Sequence, residues 1–163
     1  MRQREKQVLI ELLKNAKLSD RDLAKKITPK ASQSSVTRIR NKLEKKIIKG
    51  YHAEVNLPML NLKIMILTFC RCREPNEKFF KLLKAFIKVH PSIIFVTSGE
   101  GMDKTKLIIS LHEDIKEYLD LTREMRDKFN MFVSGIDHFI VSTDSFIKPL
   151  SFLDPIKNAL GKD

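Results

Sequence analysis

Residues 32–51 read SQSSVTRIRNKLEKKIIKGY, and this stretch decides the reading of the chain. Ser32 is a good N-cap, because its hydroxyl can accept from the first free amides of a helix. From there Val36, Ile39 and Leu43 recur at helical spacing and give one apolar stripe, which predicts a helix to about Lys46. Opposite the stripe lie Gln33, Ser34, Thr37, Arg38, Arg40, Asn41 and Lys42. A helix with one narrow apolar edge and a wide, cationic, amide-rich face is built to lie against something polar.

Upstream, residues 19–31 read SDRDLAKKITPKA. Ser19 can cap a second helix, and Asp20 and Asp22 complement the positive end of its dipole. Leu23, Ala24 and Ile27 form its inner face, and Thr28-Pro29-Lys30 reads as a turn. Before it, Val8, Leu9, Leu12 and Leu13 mark a first amphipathic helix over Glu5 to Asn15. Three helices with a turn before a polar-faced third are what a helix-turn-helix requires. Downstream, Ile47-Ile48, Lys49-Gly50-Tyr51 and the alternating His52-Ala53-Glu54-Val55 predict a short two-stranded wing, and Pro58 opens a linker.

The charge supports that reading by its location. The chain carries a formal net charge of +11 over 163 residues. Residues 1–57 hold 15 Lys and Arg against 6 Asp and Glu, or +9, while residues 58–163 are nearly neutral at +2. A cationic block confined to one folded segment points to a polyanionic partner, double-stranded DNA in this context. On the third helix and its approach, Lys30, Arg38, Arg40 and Lys42 suit phosphates, whereas Gln33, Ser34 and Thr37, with Arg38, sit near the helix start where base edges come within reach, and Asn41 is a further DNA-binding candidate on the same face.

Beyond Pro58 strands and helices alternate. Strands are expected over Leu62–Cys72, Ile93–Ser98, Lys106–Leu111 and Gly135–Thr143. Helices are expected over Asn76–Val89, with Phe79, Phe80, Leu83, Phe86 and Ile87 inward, and over Asp114–Phe129, with Ile115, Leu119, Thr122 and Met125 on one face. The order βαββαβ is that of the ferredoxin-like unit. The fold class expected is therefore α+β: an N-terminal winged helix-turn-helix over 1–57, then a ferredoxin-like domain over 58–144. The remaining 145–163 carries Phe146, Ile147, Leu150, Phe152, Leu153 and Ile156, too apolar for a free tail, and is expected to dock on the sheet or on a partner subunit.

Other chemistry finds little support. Apolar residues make up 42% of the chain, enough for a packed core. The longest apolar run, 64–70, is far short of the ~20 residues of a membrane helix, so no membrane partner and a cytoplasmic location are expected. Cys70 and Cys72 form a lone C-x-C pair on one strand face, and His52, His90, His112 and His138 lack metal-ligand spacing. No phosphate-cradling glycine loop or nucleophile elbow is present, and neither a cofactor nor enzymatic activity is expected.

The residues Ser19, Leu23, Ala24, Ser32, Ser34, Val36, Arg38, Leu43, Glu44, Ile48, Gly50 and Tyr51 match the pattern of the leucine-responsive regulatory protein/AsnC family, which the chain resembles up to about Thr143. The resemblance implies a transcription regulator that pairs through its sheets into a homodimer, assembles further to tetramers or octamers, and binds palindromic DNA. It also implies an amino-acid effector near the turn joining the middle two strands, which here places Gly99, Gly101 and Asp103 as effector-binding candidates. Two features depart from the family pattern: the turn over Thr28 to Ala31 is longer and lacks glycine, and Asp103 is followed by Lys104 and Thr105 instead of an aromatic or apolar residue. Two alternatives stand beside this reading. Siroheme decarboxylases resemble the same arrangement, and His90, His112 or His138 beside Arg71 and Arg73 is the only hint of such a pocket. An architectural binder that coats DNA without a preferred site shares the charge argument.

Overall fold

The computed structural model describes residues 1–73, 76–148 and 150–161. They divide into two compact units, 1–54 with 148–161 and 55–147. Each is described by itself.

The first unit is helical: α1 (Gln3–Lys14), α2 (Asp20–Lys26), α3 (Gln33–Lys46) and α6 (Leu153–Leu160). Ser19 and Ser32 cap α2 and α3, accepting from the amides of Asp22 and Ser35 at 3.1 and 3.2 Å. The apolar stripes meet in one core of Val8, Leu9, Leu12, Leu23, Ala24, Ile27, Val36 and Leu43. Gln7 of α1 fixes the connection between α2 and α3. Its amide donates to the Thr28 carbonyl at 2.9 Å and accepts from the Thr28 amide at 3.1 Å. A side chain that mimics a strand partner in this way satisfies both backbone groups of a residue that neither helix can serve.

One expectation changes here. The wing is absent, since residues 47–57 contain no strand. Its intended first strand is consumed in closing α3: the amides of Ile47 and Ile48 both bond the Leu43 carbonyl, at 2.7 and 2.8 Å. Tyr51 then turns back to donate to Glu44 at 2.9 Å. The C-terminal part of the apolar tail belongs to the helical unit. Ile156 and Leu160 of α6 pack on the helical core, and Lys6 of α1 donates to the Leu160 carbonyl at 2.8 Å. Of that tail, Pro149, Lys162 and Asp163 lie outside the described residues.

The second unit carries β1 (Ile64–Cys72), α4 (Glu77–Val89), β2 (Ile93–Gly101), β3 (Lys104–His112), α5 (Ile115–Phe129) and β4 (Val133–Ser142), in the βαββαβ order. The strands form one antiparallel sheet ordered β2-β3-β1-β4. Asn76 and Asp114 cap α4 and α5, each accepting a backbone amide at 3.0 Å. Residues alternate between the two faces of β1. Ile66, Thr68 and Cys70 are buried in a core with Phe79, Phe86, Met125 and Phe129. Met65, Leu67 and Phe69 point to the other face.

The phase of both helices differs from expectation. On α4, Phe79 and Phe86 are buried but Phe80 is 42% exposed. On α5 the buried stripe is Tyr118, Thr122, Met125 and Phe129, and it leaves Ile115 and Leu119 outside. The bulkier rings of Tyr118 and Phe129 win the inner face, because burying an aromatic removes more apolar surface from water than burying an isoleucine.

Candidate nucleic-acid interface

On α3, Ser34, Arg38, Asn41 and Lys45 follow at i, i+4, i+7 and i+11, and all four are exposed. This spacing puts them on one face of the helix, directly opposite Val36 and Leu43. Gln33, at the first turn, and Lys30, before the helix, are also exposed. The face therefore offers an amide, a hydroxyl, a guanidinium and an ammonium to whatever lies against it. Lys45 was missed in the sequence reading, although extending the same period by one more turn finds it.

Not every residue expected on that face is free to act there. The Thr37 hydroxyl donates to Asp20 of α2 at 2.6 Å, with the Gln33 carbonyl as the alternative acceptor at 3.0 Å. Arg40 forms an ion pair with the same Asp20, Nε to Oδ1 at 2.7 Å, and donates to the Leu18 carbonyl. Lys42 reaches back to Glu5 of α1 at 2.6 Å, half-exposed. That hydrogen bond is the largest cause holding the Glu5 carboxyl below the usual carboxylate range, with the Arg2 amide adding to it against the cost of burial. Arg40 and Thr37 thus fix α3 against α2, and Lys42 fixes it against α1. Ser34, Arg38, Asn41 and Lys45 remain to face outward.

The open face of the sheet is the second exposed feature. Leu67 lies between Ile109 and Phe139, Phe69 between Leu107 and Asp137, and Met65 between Leu111 and Val141. Phe95 and Phe139 on this face are 49% and 63% exposed.

The effector candidates lie at the hairpin of β2 and β3. Gly101 pairs with Lys104, so the turn has two residues, Met102 and Asp103, both left-handed at φ 50° and 59°. This is the geometry of a tight hairpin turn whose twist matches the strands. Gly99 and Gly101, with Thr97, Glu100 and Phe69, line a hollow of about 190 Å³ beside the hairpin. Asp103 is not among its walls. Its carboxylate pairs instead with Arg71 of β1 at 2.6 Å.

The groups that hinted at a tetrapyrrole pocket are not brought together. His112 is fully buried, bonded to Ser110 at 2.8 Å, whereas Arg71 is exposed with its charge on Asp103. Among the described residues no group of three His, Cys, Asp or Glu side chains could hold a metal ion. Nor is any described helix long and apolar enough to cross a membrane.

The arrangement has well-defined counterparts among solved structures. A transcriptional regulator from Neisseria meningitidis, solved as a complex with L-methionine, superposes with a TM-score of 0.82 at 15% identity, covering 98% of this chain and 99% of that one. The fold is that of the Lrp/AsnC regulators. An AsnC-family transcriptional regulator from Agrobacterium tumefaciens gives 0.79 at 20% identity over 93% and 95% of the two chains. LrpC of B. subtilis gives 0.70 at 22% over 93% and 98%. No protein-family model and no curated protein sequence matches the chain. The Lrp/AsnC fold thus accounts for both units of the chain, the helical one and the sheet.

Proposed function

We propose that the protein is a sequence-specific DNA-binding transcription regulator that acts as a homodimer. The observation that carries this reading is the outward face of α3, where Ser34, Arg38, Asn41 and Lys45 are exposed side by side on a helix braced from both sides. Major grooves accept a helix of this width. Arg38 is suited to a bidentate bond to guanine and Asn41 to adenine, with Lys45 and Lys30 on phosphates. Phe139, Leu67, Phe95 and Leu107 favour a second copy as cover for the open sheet face, since apolar patches of this kind mark association sites. A two-fold pair of such units presents two recognition helices to two half-sites.

Selection of bound sequences from a random duplex pool tests the reading. A regulator returns one roughly palindromic consensus bound at about nanomolar strength, and Arg38→Ala weakens that binding while the dimer mass stays the same. Recovery of bound DNA without a consensus would instead indicate an architectural coat, and no binding at low salt would end the proposal.

An amino-acid effector is the second element of the reading. The Neisseria counterpart was solved with L-methionine, and the mainly apolar hollow beside the hairpin carries Glu100, Lys104 and Lys106 among its walls, opposite charges for the two ends of a small apolar amino acid. With Asp103 held by Arg71, Glu100 is the carboxylate that stands in the hollow to receive an ammonium. Thermal shift in the presence of each common amino acid tests it. A stabilising ligand whose effect disappears in Glu100→Gln supports the site, and a flat panel removes it.

A further inference from the structure

Arg2 and Arg4 at the start of α1 carry no signal in the sequence beyond their charge. In the fold they come beside Arg38. The three guanidinium side chains, with Ser35 of α3 and Pro29 of the preceding turn, line a notch of about 480 Å³ between α1 and α3. We infer that this notch clamps a backbone phosphate of the duplex that α3 reads, so that Arg2 and Arg4 are positioning residues for DNA outside the recognition helix. The inference rests on the DNA-binding reading above and extends it to a second contact.

Three observations carry it. The first is the pattern of ion pairs. Lys14, Lys25, Lys26, Arg40 and Lys42 are each matched to a carboxylate of the helical unit. Among the described residues none of the three arginines in the notch has such a match, although they converge on one concavity. Like charges gathered in excess of their counter-charge repel one another, and that cost is recovered when an anion enters.

The second is the state of the one carboxylate in the wall. Glu5 accepts from Lys42 at 2.6 Å and from the Arg2 backbone amide at 3.0 Å. Its single negative charge is shared between Lys42 and Arg2, so the notch with its three arginines keeps a net positive charge.

The third is continuity. Arg38 belongs both to the notch and to the outward face of α3. An anion held here lies at the margin of the surface that meets the groove. A phosphodiester of the same duplex occupies such a margin, and the planar fork of arginine matches its oxygens two at a time.

A phosphate clamp has a signature that base readout does not share: it changes affinity and salt dependence and leaves the sequence preference alone. The test titrates the full chain, wild type and Arg2→Gln/Arg4→Gln, against the duplex recovered from the random pool over a series of salt concentrations. Each lost phosphate contact flattens the log–log slope by about 0.9. The double variant is therefore expected to lose about 0.9 per protomer, the share of one phosphate, to keep the same consensus and to unfold at the same temperature. Arg2→Lys/Arg4→Lys is expected to recover most of the slope, and Lys17→Gln, which removes an exposed cation outside the notch, to leave it nearly unchanged. A double variant with the wild-type slope, or a Lys17→Gln slope flattened as much per charge, overturns the clamp alone. Wild-type protein that binds no duplex overturns the clamp and the DNA-binding reading together.

Discussion

Arg40 of α3 and Asp20 of α2 form an ion pair of 2.7 Å in which each side chain is only about one-fifth exposed. Asp20 also accepts from Thr37, so a single carboxylate on the second helix holds two side chains of the third. The pair separates two roles that charge alone cannot: Arg40 is cationic like Arg38 but is used inside the unit. Asp20→Ala should leave Arg40 without its counter-charge, held only by the Leu18 carbonyl, and lower the stability of the helical unit by about 2 kcal/mol, the scale of a lost hydrogen bond to a charged group. Arg38→Ala should leave the unfolding temperature unchanged and weaken DNA binding at least tenfold. Thermal unfolding and anisotropy on the same two variants check both statements, and a destabilised Arg38→Ala would show the roles to be reversed.

The open sheet face gives a prediction about assembly. Phe139 is 63% exposed and sits across from Leu67 on the uncovered side. Phe139→Glu should fold, because the side chain is not in the core. It should sediment as a monomer where the wild type is expected to sediment as a dimer. Loss of the second half-site contact should cost about a hundredfold or more in operator affinity. Dimers of unchanged mass in the variant would place the association surface elsewhere.

Acid should weaken the sheet unit in a definable direction. His112 is fully buried, with Ser110 at one ring nitrogen and Glu117 3.6 Å from the other. Burial pushes its pKa below the ordinary imidazole value, more than Glu117 and Asp114 raise it. His138, across the Tyr118 ring from His112, is likewise lowered, by burial and then by Arg126, against Asp137. The unfolded chain takes up protons near pH 6.5, where the folded unit resists them. The stability due to neutral imidazole is therefore complete above about pH 6.5 and is lost as the pH falls below it. Unfolding midpoints measured by denaturant should drop between about pH 7.5 and about pH 5.5, and His112→Gln should flatten that dependence. A midpoint that rises on acidification would contradict the burial argument.

The hairpin turn is open to improvement. Met102 and Asp103 both adopt left-handed backbone, which costs residues with a Cβ and suits asparagine and glycine. Replacing them by Met102→Asn with Asp103→Gly should raise the stability of the sheet unit by about 0.5–1 kcal/mol. The Arg71 pair lost in the process is largely exposed and contributes little. Denaturant midpoints measure the outcome, and a less stable double variant would mean that the Arg71 contact outweighs the turn strain.

How much of this could be read in advance depends on the range of the interaction. The third helix with its Ser32 cap, its Val36–Leu43 stripe and its polar face is written in local period and was legible. So was the βαββαβ order, because each strand is a short apolar run bounded by turn residues. What failed needed tertiary partners. The Ile47-Ile48 pair reads as strand by composition, yet the Leu43 carbonyl captures both amides to finish α3. Arg40 and Arg38 are two residues apart and chemically identical, and only the position of Asp20 tells them apart. The approach of Arg2 and Arg4 to Arg38 spans 34 positions or more and leaves no trace in spacing. The inner face of α5 differs because Ile115 and Leu119 match the helical period as well as Tyr118 and Phe129 do, and the choice lies with the larger apolar area that the two rings remove from water.

The packing of α6 on α1 sets an order of events during synthesis. Ile156 and Leu160 complete a core begun by Val8 and Leu9, with the whole sheet unit threaded between them in the chain. A ribosome must therefore release the strands and both of their helices before α6 can add to that core. On the reading proposed above, the surface assigned to pairing is complete first and the head assigned to DNA last, so an incomplete chain would meet its twin before it could occupy an operator.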